Sequence, residues 1–149
     1  MTLLTKLNDD MKAAMKNRDK ESLQVIRMLK ASLQNEKINL GRDLTEEEEL
    51  TIISREMKQR RDSLAEFEEV GRKDLAEKTK GEIAIVEKYL PAQLSEEDLR
   101  EIVKNAVEQT GASSSKDFGK VMGVVMPQVK GKADGKQVNA IVKELLNQN

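Results

Sequence analysis

The chain has 149 residues, 36% of them charged, and its 26 basic and 27 acidic side chains leave a net charge of −1. No global field draws such a protein to nucleic acid or anionic lipid, so any binding of that kind must come from a local patch. It has no histidine and no cysteine, which excludes imidazole bases, thiol nucleophiles, disulfides and zinc sites built from those ligands.

Aromatic residues are few (Phe67, Tyr89 and Phe118), too few for a base-stacking platform. No apolar run approaches a membrane span, and the opening MTLLTKLNDD lacks the basic-then-apolar pattern of a signal. The expectation is a cytoplasmic protein with no membrane partner. Helix formers dominate and no run alternates apolar with polar residues, so the fold class expected is all-α.

The first helix is expected over 2–16, with Leu4, Leu7, Met11, Ala14 and Met15 on one face. Asp19 is placed to cap a second helix that turns Leu23, Ile26, Leu29 and Leu33 inward and stops at Gly41. Thr45 and Glu48 have the spacing of a capping box. The four glutamates Glu46 to Glu49 suit the positive end of the third helix. Successive carboxylates point around a helix rather than converge, so they are read as cap and dipole, not as a metal site. In that helix Leu50, Ile53, Met57, Leu64 and Phe67 form a coiled-coil-like seam, which predicts a near-antiparallel partner. Arg60 interrupts the seam. It either aims at an internal carboxylate or anionic ligand, or snorkels at the rim of the bundle; the rim is the expectation.

A fourth helix is expected over 72–90, with Leu75, Thr79, Ile83, Val86 and Leu90 aligned. Pro91 disfavours helical geometry at Leu90, and Ser95 begins a new helix with Glu96, Glu97 and Asp98 in its first turn. The expected organisation is an N-terminal helical domain of about four helices over 1–91 and a three-helix domain over 95–149. The fifth helix buries Leu99, Ile102, Val103 and Ala106 and ends at Gly111. Charge is uneven here: 95–111 carries two basic and five acidic residues, and 112–149 carries six lysines and three acidic residues.

The sixth helix has Phe118, Val121, Met122, Val125 and Val129 as its core stripe, with Gly119 and Gly123 on a neighbouring strip. A helix face without side chains admits close approach of another helix or of a sugar-phosphate backbone, and spacing alone favours helix packing. Pro127 has no N–H and leaves the Gly123 carbonyl without its helical partner. Gly131 suits a left-handed stop, and Asp134 can cap a seventh helix that buries Val138, Ile141, Val142 and Leu145 and leaves Asn139 and Lys143 outside. Lys130, Lys132 and Lys136 thus crowd a helix N-terminus, where lysines suit phosphate rather than base edges. The alternative is a solvated loop whose lysines serve solubility, and Asp134 already occupies that terminus.

The run GKVMGVVMPQVKGKADGKQVNAIVKELL (119–146) resembles the tail domain of the GatB/YqeY family. Arg27–Ala31, Glu56–Asp62 and Tyr89–Ser95 are similar to the stand-alone YqeY branch of bacterial type, so the resemblance spans essentially the whole chain. GatB is the B subunit of the aspartyl/glutamyl-tRNA amidotransferase, and its tail contacts the tRNA body. The resemblance implies tRNA as the partner, contacted through the positions that match the tail: Gly119, Lys120, Gly123, Lys130, Gly131, Lys132, Lys136 and Asn139, with Ala133 among them. It implies an accessory role in tRNA-dependent amidation or aminoacyl-tRNA handling, with amidotransferase or aminoacyl-tRNA machinery as a further partner and no DNA. The amidotransferase's catalytic cradle lies upstream of its tail and has no counterpart in this sequence. The expectation is therefore a protein without catalysis of its own, without catalytic residues, metal or cofactor. The alternative from a different class is a protein-interaction module whose long N-terminal helices dock a partner.

Overall fold

A computed structural model describes residues 2–147. Among them are seven α-helices and one 3-10 turn, and no strand. The chain forms two compact units, Met1–Pro91 and Ala92–Asn149.

The first unit contains α1 (Leu3–Lys16), α2 (Lys20–Leu40), α3 (Glu46–Glu69) and α4 (Lys73–Glu87). Local chemistry sets each start. The Thr2 hydroxyl accepts from the Thr5 amide, and the Asp19 carboxylate from the Ser22 amide. Thr45 and Glu48 complete a reciprocal capping box. Arg42 forks onto the same Glu48 carboxylate at 2.8 and 3.0 Å. That fork, followed by the Thr45 amide, holds the Glu48 carboxyl down at about 2.

α2 packs on α1, α3 and α4. Val25, Ile26, Leu29 and Leu33 meet Leu7, Ile52, Ile53, Met57 and Val86 in one core. The seam of α3 finds its partner in α4, across the turn at Val70 and Gly71. Arg60 and Glu82 touch and lie equally far from Gly71 along the chain, as an antiparallel hairpin requires. The Tyr89 hydroxyl donates to the Asp10 carboxylate at 2.5 Å and ties the segment after α4 to α1.

Two expectations are corrected in this unit. Met15 is 55% exposed and does not join the face of α1 that carries Leu7 and Ala14. Arg60 is no rim residue: it is 6% exposed. Its Nη1 donates to the Glu56 carboxylate at 2.9 Å and its Nε lies 3.3 Å from Glu82. Its Nη2 reaches the Met28 sulfur at 3.7 Å, and Ser32 donates to the other Glu56 oxygen at 2.6 Å. Two carboxylates flank this guanidinium, so burial leaves its charge compensated.

The second unit contains α5 (Glu96–Thr110), a 3-10 turn (Ser115–Asp117), α6 (Phe118–Val129) and α7 (Gly135–Asn147), and the three helices pack pairwise. Ser95 caps α5, and Gly111 ends it in the left-handed conformation. The core joins Leu99, Val103 and Ala106 to Val121, Val125 and Val129 and to Val138, Ile141, Val142 and Leu146. In α7 it is Leu146 that is sealed, while Leu145 packs only partly against the core.

Candidate nucleic-acid interface

On α6, burial of Val121, Val125 and Val129 directs the opposite side outward. Gly119, Lys120, Gly123, Met126, Pro127 and Lys130 are all exposed there, and Lys116 of the preceding turn continues the strip. At 100° per residue these positions share one face, and none of them is acidic. A Cβ built on Gly119 or Gly123 meets nothing within 4 Å. Among the described residues no helix of the second unit packs on the glycine pair, so the packing favoured by spacing alone is not found there. Pro127 sits inside the same helix and has no N–H to offer the Gly123 carbonyl one turn back.

α6 ends where Gly131 turns left-handed, at φ 76°. The following loop is tied down at several points. The Lys132 amide donates to the Val129 carbonyl at 2.8 Å. The Gln93 side-chain amide donates to the Gly131 carbonyl at 2.8 Å, and the Leu94 amide to the Lys132 carbonyl at 2.8 Å. The segment before α5 therefore fixes the path of Gly131 and Lys132. Asp134 caps α7 by accepting from the Lys136 amide at 3.0 Å. Lys130 and Lys136 are exposed, and Lys132 is half-buried.

The structure thus gathers Gly119, Lys120, Gly123 and Lys130 on one strip that runs directly into Gly131 and Lys132, with Lys136 opening the next helix. Asn139 is set apart. It is half-buried rather than outside, and its amide oxygen is buried without a hydrogen-bond partner. Besides Lys116, a second cation was left out of the expected site: the Lys143 ammonium stands 5.8 Å from the centroid of the Phe118 ring and brings α7 to the start of α6. No spacing signals it, because the partner ring lies on another helix. Asp117 tempers the patch. Its carboxyl is held below the usual range by the Ser113 amide first, then by the Ser114 backbone and the charge of Lys120.

Among the described residues no group of three carboxylates converges as a metal site would require, and no helix is long and apolar enough to cross a membrane. A small all-helical protein whose second unit presents a cationic helix face with two bare glycine positions is what the fold and this surface define. The chain belongs to the YqeY family: the model described as "Yqey-like protein" matches residues 4–146. It is similar to the altered inheritance of mitochondria protein 41 of Pyrenophora tritici-repentis, 29% identical over 97% of this chain and 81% of the relative. The same-named protein of Kluyveromyces lactis is 30% identical over 92% and 72%, and that of Clavispora lusitaniae 30% over 85% and 74%. All three are named as mitochondrial proteins, which corrects the expectation of a cytoplasmic one. That expectation had rested on the lack of a signal pattern in the first ten residues, and such a lack does not decide the compartment.

Proposed function

We propose that the second unit binds tRNA and that the protein acts as a non-catalytic accessory factor in tRNA-dependent amidation. The observation that carries this reading is the open strip of α6, where Gly119 and Gly123 leave backbone bare and Lys120 and Lys130 flank it. A phosphodiester backbone can lie against such a face at a separation that side chains would forbid. Lysines there position a folded RNA by shape and charge rather than by sequence. The Gly123 carbonyl, to which Pro127 offers no N–H, is an acceptor suited to a ribose 2′-hydroxyl, which DNA lacks. The absence of histidine and cysteine from the chain fits a binding role.

The test is competition in filter binding. Labelled tRNA bound to the full chain is challenged with unlabelled tRNA and with duplex DNA of equal phosphate content. Displacement by tRNA at far lower concentration than by DNA is expected. Equal displacement by both refutes RNA recognition.

A further inference from the structure

The first unit carries a second exposed surface that the tRNA reading does not use. α2 turns Val25, Ile26, Leu29 and Leu33 into the core. Its opposite side is a shallow groove lined by Lys20, Leu23, Gln24, Arg27, Met28 and Ala31, of which Leu23 is half-buried and packs at its inner edge against the core. These positions follow helical spacing and form one stripe. Met28 is 46% exposed, unusual for a side chain of its size and apolarity. Its sulfur is held by Arg60 Nη2, so the floor of the groove is anchored to the buried Arg60 cluster. Lys20 and Arg27 form no ion pair among the described residues, and the lining contains no carboxylate.

We infer that this face of α2 docks an acidic amphipathic helix of a partner protein. A helix covering Leu23, Met28 and Ala31 removes apolar surface from water, which is how helices bind in grooves. Covering them also strips water from Lys20 and Arg27, and that is unfavourable unless the partner brings carboxylates. The two cations are seven residues apart, two turns or roughly 10 Å along the helix. The complementary segment therefore carries apolar residues at three- and four-residue steps, with Asp or Glu two turns apart beside them. Methionine suits the role, since its flexible thioether adapts to the incoming surface. An RNA would set its hydrated phosphates against Leu23, Met28 and Ala31 and bury nothing apolar. A second copy of this chain meeting the same face would bring Lys20 and Arg27 against their own like charges.

The test uses the full chain with [13C]methyl-labelled methionine and a synthetic helical peptide of about 18 residues, long enough to hold a helix. One face of the peptide is Leu and Ala, flanked by two glutamates seven residues apart; a control peptide has lysine in place of the glutamates. Saturable shifts of the Met28 methyl are expected with the acidic peptide while the Met126 methyl of the second unit stays fixed. Arg27→Glu weakens binding about tenfold or more with helical content unchanged, and the lysine peptide does not bind. No saturable Met28 shift, equal binding of both peptides, or indifference to Arg27→Glu overturns the inference. It is equally overturned if tRNA moves the Met28 methyl and the peptide does not. Concentration-dependent self-association abolished by Arg27→Glu overturns it in favour of a second copy. Both peptide arms are independent of tRNA binding by α6.

Discussion

The glycine pair of α6 gives the sharpest prediction, because stability and binding are expected to move in opposite directions. A methyl group added at Gly119 or Gly123 enters open space, so neither Gly119→Ala nor Gly123→Ala creates a clash. Gly123 is interior to the helix, where alanine is favoured over glycine by about 0.5–1 kcal/mol. Gly119 lies in the first turn and gains less, so the double variant is expected to be roughly 1 kcal/mol more stable. For a unit of this size that raises the melting temperature by about 4–8 °C. The same two methyls cover the bare backbone, so tRNA affinity is expected to fall. The assays are thermal unfolding by circular dichroism and filter binding of tRNA at fixed salt. A stabilised double variant that binds tRNA as well as the parent refutes the close-approach argument. A destabilised one refutes the claim that this face is open.

Arg60→Ala leaves Glu56 and Glu82 facing each other without the guanidinium between them, and urea unfolding is expected to show a loss of about 3 kcal/mol. The triple variant Arg60→Met/Glu56→Gln/Glu82→Gln removes all three charges and is expected to recover most of it; no recovery would mean that packing rather than charge is the cause. Glu48, held at about 2 by Arg42 and the Thr45 amide, contributes stability above its ordinary value of 4.5. That contribution is lost as the pH falls from there toward 2. Glu48→Gln should therefore lower stability at neutral pH, where that contribution is present in full, and flatten the fall between those values, so that the two proteins converge near pH 2. Gln93→Ala frees the Gly131 carbonyl and is expected to weaken tRNA binding several-fold with only about 1 kcal/mol lost in stability; unchanged affinity would show that the loop needs no such anchor.

Signals confined to one helix end were legible in the sequence. The Thr45–Glu48 box, the Asp19 and Ser95 caps and the left-handed stops at Gly41, Gly111 and Gly131 all depend on residues within a few positions of one another. Arg60 was misread because its second carboxylate, Glu82, arrives from α4, the opposite helix of the hairpin. A lone arginine on an apolar seam does not announce that partner. The anchoring of the loop by Gln93 and Leu94 was invisible for the same reason, since it joins positions far apart in the chain. Spacing could not tell whether Gly119 and Gly123 sat beneath another helix, because GxxxG is the same motif in either case; only the surrounding space separates the two. Asn139 looked like an outward position on the helical wheel, yet it stands at the edge of the apolar arc of α7, and its amide oxygen is covered.

The most direct measurement is the salt dependence of tRNA binding by the full chain and by the variant Lys120→Ala/Lys130→Ala/Lys136→Ala. Each lysine–phosphate contact releases counterions and contributes about one to the slope of log affinity against log salt. The parent is expected to bind with a steep slope, and the variant to lose affinity and about three from that slope. Identical affinity and slope in the two proteins would contradict the proposal that this surface holds RNA.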